Sequence, residues 1–170
     1  LNPGNVDFQE VLNSKIYVDK SELIQYTNSV LRTTQKYICV SRPRRFGKSM
    51  AANMLTAYYS RGCDSREMFQ GLKIAKHTGF EEHLNQYNVI HLNMRDYLTE
   101  SENMKQLIQF VEEDLLDELQ QEFADLRMPR RKTLVKVLEQ AFAQYKIPFV
   151  FIIDEWECIF RVHKSDAALQ

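Results

Sequence analysis

Two short stretches of the chain carry residues of the types that bind phosphate and a cation. In the first, Arg42-Pro43-Arg44-Arg45-Phe46-Gly47-Lys48-Ser49 follows a short apolar run. Its last three residues match the end of the phosphate-binding loop pattern, a glycine, four residues and then Gly-Lys-Ser/Thr. Arg42 stands where the pattern has its first glycine, so the match needs support from elsewhere. The second stretch, Asp154-Glu155, directly follows another apolar run and supplies two carboxylates.

The loop residues have distinct predicted roles. Backbone N–H groups that converge at a helix N-terminus bind phosphate, and the helix dipole favours anions there. Gly47 lets the backbone close around the phosphate, Lys48 places a mobile cation on the β- and γ-phosphates, and the Ser49 hydroxyl ligates Mg²⁺. For Arg44 and Arg45, a solvated loop charge is the alternative. The predicted nucleotide-binding residues are Arg44, Arg45, Phe46, Gly47, Lys48, Ser49 and Met50.

The acidic pair ends a run of five apolar residues, Phe149–Ile153, which begins after Pro148. Such a run predicts a fully buried parallel strand. Nucleotide hydrolases with a phosphate loop place a Mg²⁺-binding carboxylate at this position, and we assign that role to Asp154. Glu155 can orient or deprotonate an attacking water. An aspartate after a strand is more often a cap, but its occurrence together with the loop favours a nucleotide site. We therefore predict Ser49 and Asp154 as metal ligands, and Lys48 and Glu155 as catalytic residues.

Helical and extended patterns alternate along the chain, which predicts an α/β fold with a mainly parallel sheet. Asp19 and Glu22 predict a capping box at the start of the second helix, and a nucleotide contact is the alternative for Asp19. Predicted helices span residues 7–13, about 19–30, 47–59, 81–86, 101–126 and 131–145; predicted strands span 37–41, 88–94 and 149–153.

Composition limits the classes of partner. The chain has 170 residues, 22 basic and 23 acidic, and a formal net charge of −1, so it has no global attraction to nucleic acid or an anionic membrane. No apolar run is long enough to span a bilayer. Three widely spaced cysteines indicate a reducing compartment, with Cys39 and Cys158 predicted as buried. We therefore predict a cytoplasmic protein. The basic cluster Arg127, Arg130, Arg131 and Lys132 is interpreted as a solvated loop, with nucleic-acid contact as the alternative.

Three motifs together resemble the predicted AAA-ATPase-like family of bacterial and archaeal P-loop proteins. They are the loop at 42–49, Tyr17-Val18-Asp19-Lys20-Ser21 and Ile153-Asp154-Glu155-Trp156-Glu157. The family carries Arg-Pro-Arg-Arg-Phe-Gly-Lys-Ser/Thr in place of a glycine-led loop, which implies that Arg42 is a family feature. Trp156 and Glu157 depart from the family's Tyr-Asp. The resemblance extends from about residue 8 to 157 and implies an ATP-binding domain with an additional catalytic glutamate, a role that suits Glu155.

The resemblance also implies an architecture. Such proteins are three-layer sandwiches with a mainly parallel sheet, so we expect residues 37–170 to form the P-loop core and residues 1–36 an N-terminal extension. Their sheets usually have a fourth strand inserted between the first and third strands, and in sequence that strand follows the Asp-Glu strand. We therefore expect an incomplete sheet that lacks its C-terminal strands and lid. Longer members resemble fusions to a C-terminal nuclease-like domain.

The leading functional hypothesis is Mg²⁺-dependent ATP binding and hydrolysis that drives or gates a larger protein. The alternative is a nucleotide-binding regulatory module without significant hydrolysis, and a small-molecule kinase is a weaker third hypothesis. Asn93 and Arg95 are expected beside the site, where they could contact the attacking water or the γ-phosphate. Arg161 is a minor candidate for a finger across a subunit interface. The sequence leaves the oligomeric state open.

Overall fold

The computed structural model describes residues 1–41, 43 and 45–160. The helices and strands assigned within them follow in chain order. They are α1 (Val6–Leu12), α2 (Glu22–Val30), α3 (Lys48–Tyr59), α4 (Arg66–Phe69), a 3-10 helix (Lys73–Lys76), α5 (Phe80–His83), β1 (Asn88–Asn93), α6 (Met94–Glu100), α7 (Met104–Glu122), α8 (Leu134–Tyr145) and β2 (Phe149–Asp154).

Backbone contacts divide the chain into two compact units. The N-terminal unit comprises residues 2–90, and the C-terminal unit comprises Leu1 and the described residues from 91 to 160. β1 crosses this boundary and pairs with β2 in a small parallel sheet of two strands. The mixed α/β class with a parallel sheet is thereby confirmed, and so small a sheet agrees with the expected incomplete P-loop fold. The three-layer sandwich stays a prediction, as does the domain boundary at residue 37.

An aromatic cluster forms the core of the N-terminal unit. The ring of Tyr58, near the end of α3, meets Phe69 edge-on at a centroid distance of 5.6 Å, and Phe8 of α1 stacks on Phe69 at 5.2 Å. The Tyr58 hydroxyl donates to the backbone oxygen of Phe80 at 2.7 Å, so its burial leaves the hydroxyl satisfied. The C-terminal end of α3 is therefore fixed by both packing and hydrogen bonding.

The core of the C-terminal unit joins α7, α8 and the first residue of β2. The apolar positions of both helices recur at helical spacing, which gives each helix one face to bury. Phe149 packs against the resulting cluster from the strand. The buried members of this cluster are Leu119, Phe123, Leu126, Val137 and Ala141.

The strand predicted at residues 37–41 is wrong. The segment has no strand assignment, Tyr37 is 85% exposed and Val40 is 44% exposed. A strand is stabilised by hydrogen bonds to a neighbouring strand, and this segment has none among the described residues. Cys39, which lies in it, is exposed and not buried as predicted. The predicted burial of Cys158 is confirmed.

The strands predicted at residues 88–94 and 149–153 are confirmed as β1 and β2. The predicted full burial of β2 is wrong, since Phe151 is 48% exposed and Ile153 is 49% exposed. Within the described sheet, β2 has a neighbour along one edge only, which leaves these side chains less covered than those of a central strand. All six predicted helices form with shifted ends, whereas α4, α6 and the 3-10 helix are short and were not predicted.

We expect Leu119→Ala to lower the free energy of unfolding by about 2–5 kcal/mol, because it opens a cavity at a fully buried position. Ile108→Ala on the same helix is the matched control, since Ile108 is 58% exposed and its truncation leaves no cavity. Urea unfolding followed by circular dichroism measures both. Equal destabilisation by the two variants would contradict the assigned core.

Candidate functional site

The phosphate-type loop leads directly into α3. Gly47 is the N-cap residue of this helix and has a left-handed backbone with φ of 76°, a conformation that favours glycine. Lys48 is the first helical residue, and the N-cap glycine has no side chain with which to cap the helix. The helix end therefore presents backbone N–H groups and the positive end of the helix dipole, as an anion site requires. The predicted helix start at Gly47-Lys48 is confirmed.

The remaining predicted loop residues are clustered at the same junction. Arg45 has a left-handed backbone with φ of 68°, Phe46 is 61% exposed, and Ser49 and Met50 lie in the first turn of α3. The structure thus brings together the predicted residues from 45 to 50. Arg42 and Arg44 lie outside the described residues, and the role of Arg44 stays a prediction. Nucleotide contact by the whole set is likewise still a prediction.

A second lysine reaches this loop from a distant part of the chain. The Lys20 ammonium donates a hydrogen bond to the backbone oxygen of Phe46 at 2.7 Å. The same nitrogen stands 2.9 Å from the point that a Cβ on Gly47 would occupy. The sequence offered one signal for Lys20, its place in the motif at residues 17–21, but that motif carried no assigned role for the lysine.

Asp19 fixes the backbone on which Lys20 is carried. One carboxylate oxygen accepts from the Ser21 N–H and the other from the Lys73 N–H, each at 2.8 Å. The Ser21 hydroxyl in turn accepts from the Ile74 N–H at 3.1 Å, and Lys73 pairs with Glu22 at 3.2 Å. Residues 19–22 are therefore tied to the start of the 3-10 helix.

The predicted capping box is wrong. The N-cap residue of α2 is Ser21, which makes no side-chain cap, and Asp19 bonds the Ser21 N–H instead of a helical N–H. Glu22 pairs with Lys73 and does not reach back to the cap. The Asp19 carboxylate instead accepts from the Lys73 N–H, which is 54 residues away in sequence, and a local pattern cannot show such a partner. Both Asp19 oxygens are engaged with backbone, so the geometry favours a structural role over nucleotide contact.

The acidic pair follows β2 directly. Asp154 is its last residue and accepts the Glu155 N–H through Oδ1 at 2.9 Å. Glu155 has a left-handed backbone with φ of 54°, which is uncommon for a residue with a side chain. Left-handed residues cost free energy and often occur at functional sites. The pair is therefore held in a bent, locally hydrogen-bonded turn at the carboxyl end of the strand.

Arg95 contacts the second carboxylate of the pair. Its Nη2 lies 3.1 Å from Glu155 Oε2, and the Glu155 side chain is only 21% exposed. Asn93 ends β1, and its side chain accepts the Arg95 N–H at 3.2 Å as the cap of α6. The carboxyl ends of parallel strands share one edge of a sheet, which is why Arg95 was expected near the acidic pair. Contact of Asn93 or Arg95 with water or phosphate stays a prediction.

A cavity of about 320 Å³ lies beside the end of β1. Partial burial and the neighbouring Asp114 carboxylate raise the pKa of the Tyr97 phenol to about 12. Three of the lining side chains are carboxylates, which repel phosphate, so this cavity is a poor site for the phosphate groups of a nucleotide. Sequence reasoning did not find it. The lining residues are His91, Asn93, Asp96, Tyr97, Glu100 and Asp114.

The chain matches the family described as predicted AAA-ATPase over residues 4–167. The match covers almost the whole chain. The chain belongs to the predicted AAA-ATPase family. The resemblance inferred from the three motifs is thus confirmed, and the family supports nucleotide binding in general. Neither a curated protein nor a solved structure gives a significant match.

None of the described helices of this AAA-ATPase family member is both long and apolar enough for a membrane span. No group of three or more histidine, cysteine or acidic side chains is arranged as a metal site in the part of the chain the structure describes. The basic cluster predicted as a solvated loop, Arg127, Arg130, Arg131 and Lys132, is exposed between α7 and α8.

We expect Asp19→Asn to lower the free energy of unfolding by about 1–2 kcal/mol at pH 7, since the amide offers only one acceptor oxygen. Partial burial raises the pKa of Asp19, but the hydrogen bonds from Ser21 and Lys73 outweigh it and hold that pKa below its usual 3.8. A lowered folded-state pKa stabilises the fold above pH 3.8, and this contribution disappears as the pH falls through the folded value.

The difference in the free energy of unfolding between Asp19→Asn and the wild type should therefore be largest at pH 7 and should decrease below about pH 4. Urea unfolding at a series of pH values measures it. Asp117→Asn is the control, because Asp117 is an exposed aspartate of α7. A difference that stays constant down to pH 2 would show that the Asp19 charge does not contribute to stability.

Proposed function

We propose that this protein binds ATP together with Mg²⁺ and hydrolyses it. The observation that carries the proposal is the N-terminus of α3, where the N-cap residue Gly47 has the left-handed conformation and Lys48 begins the helix. Membership of the predicted AAA-ATPase family supports it independently. Because Arg45, Phe46, Ser49 and Met50 are exposed, an anion can approach the helix end from solvent.

The loop would hold the phosphate chain of ATP. Backbone N–H groups at the start of α3 would donate to phosphate oxygens, and the helix dipole would favour their negative charge. Lys48 would contribute a point charge to the β- and γ-phosphates. Arg44, Arg45, Phe46 and Met50 would complete the nucleotide-binding residues in this proposal.

Ser49 and Asp154 would hold Mg²⁺. The donors are a hydroxyl oxygen and a carboxylate oxygen, the hard ligands that Mg²⁺ prefers, and protein sites of this kind use one or two such ligands together with substrate phosphates. Asp154 Oδ1 accepts the Glu155 N–H, which orients the carboxylate at the strand end. When bound, the ion would reduce the negative charge on the transferred phosphoryl group.

Glu155 would act as the base. Water attacks the γ-phosphorus, the bond between this phosphorus and the β–γ bridging oxygen breaks, and ADP and inorganic phosphate leave. The proton of the attacking water passes to a Glu155 carboxylate oxygen. The short turn at residues 154–155 keeps this carboxylate beside the strand end, which supports the assignment.

We further propose that hydrolysis drives or gates a larger protein in the cytoplasm, with a nuclease-like C-terminal domain as the candidate partner. Cys39, Cys63 and Cys158 are all free thiols, which supports a reducing compartment. In this proposal, residues 37–170 form the P-loop core and residues 1–36 an extension. Nucleic acid remains an alternative partner through the exposed basic loop between α7 and α8.

One observation favours the second candidate function, a nucleotide-binding regulatory module with little hydrolysis. The Glu155 carboxylate is engaged by Arg95 at 3.1 Å. A carboxylate oxygen that accepts from a guanidinium is less accessible to an attacking water. In the regulatory reading, Arg95 keeps basal turnover low while ATP is bound.

We expect Lys48→Ala to weaken ATP binding by about tenfold to a hundredfold, since it removes a charge-assisted contact to phosphate. Glu155→Gln should preserve ATP affinity and lower turnover by about 10²- to 10⁴-fold, the range for a general base. Calorimetric binding and phosphate release measure the two effects. Glu102→Gln on an exposed side chain is the matched control. Turnover that survives Glu155→Gln would remove Glu155 from the mechanism.

We expect Arg95→Ala to raise basal turnover by up to about fivefold, because it releases the Glu155 carboxylate from its ion pair. The Arg95 side chain is 54% exposed, and an ion pair with so exposed a partner contributes at most about 1 kcal/mol. A change of about 1 kcal/mol in the activation free energy corresponds to about fivefold in rate, which sets the upper limit. Steady-state phosphate release at saturating ATP measures it, with Arg127→Ala as the control. A fall in turnover at unchanged ATP affinity would show that Arg95 assists the reaction instead of restraining the base.

A further inference from the structure

We infer that Lys20 is a second phosphate-binding lysine of the nucleotide site. This inference rests on the proposed function, because it assigns a residue to the same loop. Lys20 lies outside the Gly-Lys-Ser pattern and is 26 residues away from Phe46 in sequence. It reaches the loop only through the fold.

The position of the ammonium carries the inference. Lys20 Nζ is 2.7 Å from the Phe46 oxygen and 2.9 Å from the place that a Cβ on Gly47 would fill. The cation thus occupies the space beside the left-handed turn that opens the N-terminus of α3. An anion held by the first N–H groups of α3 would lie within reach of this ammonium.

The charge of Lys20 is available to a ligand. A lysine ammonium has three N–H donors, and the described contacts use one of them, on the Phe46 oxygen. The ion pairs of the described residues do not include Lys20, and its side chain is exposed. The Phe46 carbonyl oxygen accepts one hydrogen bond from the Lys20 ammonium, but it carries no formal charge and so does not neutralise the cation. Phosphate oxygens would supply both the acceptors and the opposite charge.

The backbone of Lys20 is fixed on both sides. Asp19 bonds the N–H groups of Ser21 and Lys73, and Ser21 bonds the N–H of Ile74. This leaves only the side chain of Lys20 to order when a ligand binds, which lowers the entropy cost of a contact. A lysine placed merely for solubility has no need of such an anchored backbone.

Binding of ATP, ADP and adenosine to wild type, Lys20→Met, Lys20→Arg and Lys48→Ala tests the inference by calorimetry. Lys15→Met is the matched control, because it removes the same charge from an exposed lysine of the preceding segment. Lys20→Met should weaken ATP by about tenfold or more, weaken ADP less and leave adenosine unchanged. Lys20→Arg should recover most of the ATP affinity, and Lys15→Met should match the wild type.

The outcomes separate this inference from the proposed function. Absence of ATP binding by the wild type overturns both. ATP binding that depends on Lys48 but is equal in Lys20→Met and wild type overturns only the role of Lys20. An equal loss for ATP and adenosine in Lys20→Met, or no recovery in Lys20→Arg, also overturns it, since the lysine would then serve the fold alone.

A second measurement needs no variant. Wild-type protein is treated with an amine-acylating reagent, with and without ATP, and the modification of each lysine is followed by mass spectrometry. ATP should slow acylation of Lys20 and Lys48 severalfold and leave Lys15 unchanged, whereas adenosine should protect neither. Unchanged acylation of Lys20 while ATP protects Lys48 overturns the inference.

Discussion

The anchoring of α3 by one end is the constraint on which the candidate phosphate site depends. A helix N-terminus binds an anion only if its N–H groups are not already capped, so the helix must be stabilised elsewhere. Here the last turn supplies that stability, because Tyr58 packs on Phe69 and donates to the Phe80 oxygen. Ala57, Tyr58 and Tyr59 are all buried, whereas Ser49 and Met50 at the other end are exposed.

Each of the two candidate motifs is contacted by a cation that is distant from it in sequence. Lys20 donates to the loop that contains Gly47, and Arg95 pairs with Glu155 after β2. Each cation lies in a segment that an Asx-type hydrogen bond fixes. Asp19 accepts from the Ser21 N–H beside Lys20, and Asn93 accepts from the Arg95 N–H. Local backbone hydrogen bonds thus place the long side chains that act across the fold.

The sequence predicted those features that depend on nearby residues. The start of α3, both strands of the sheet and the acidic pair at a strand end followed from apolar runs and local motifs. The strand at residues 37–41 failed because strand formation depends on a partner, which an apolar run does not reveal. The Asp19 cap failed because the Lys73 N–H competes for the carboxylate. Lys20 was missed as a loop contact for the same reason, since its partner is distant in sequence.

Two effects disfavour a side chain at Gly47, the left-handed backbone and the contact with Lys20, and their free-energy costs differ. A left-handed backbone costs a residue with a side chain about 1–2 kcal/mol, and φ at Gly47 is 76°. A Cβ there would also lie 2.9 Å from Lys20 Nζ, but this nitrogen ends a flexible side chain that can move at little cost. The backbone term therefore sets the stability requirement for glycine. The contact with Lys20 matters for a different reason, because a Cβ would displace a cation that reaches the loop from outside the Gly-Lys-Ser pattern.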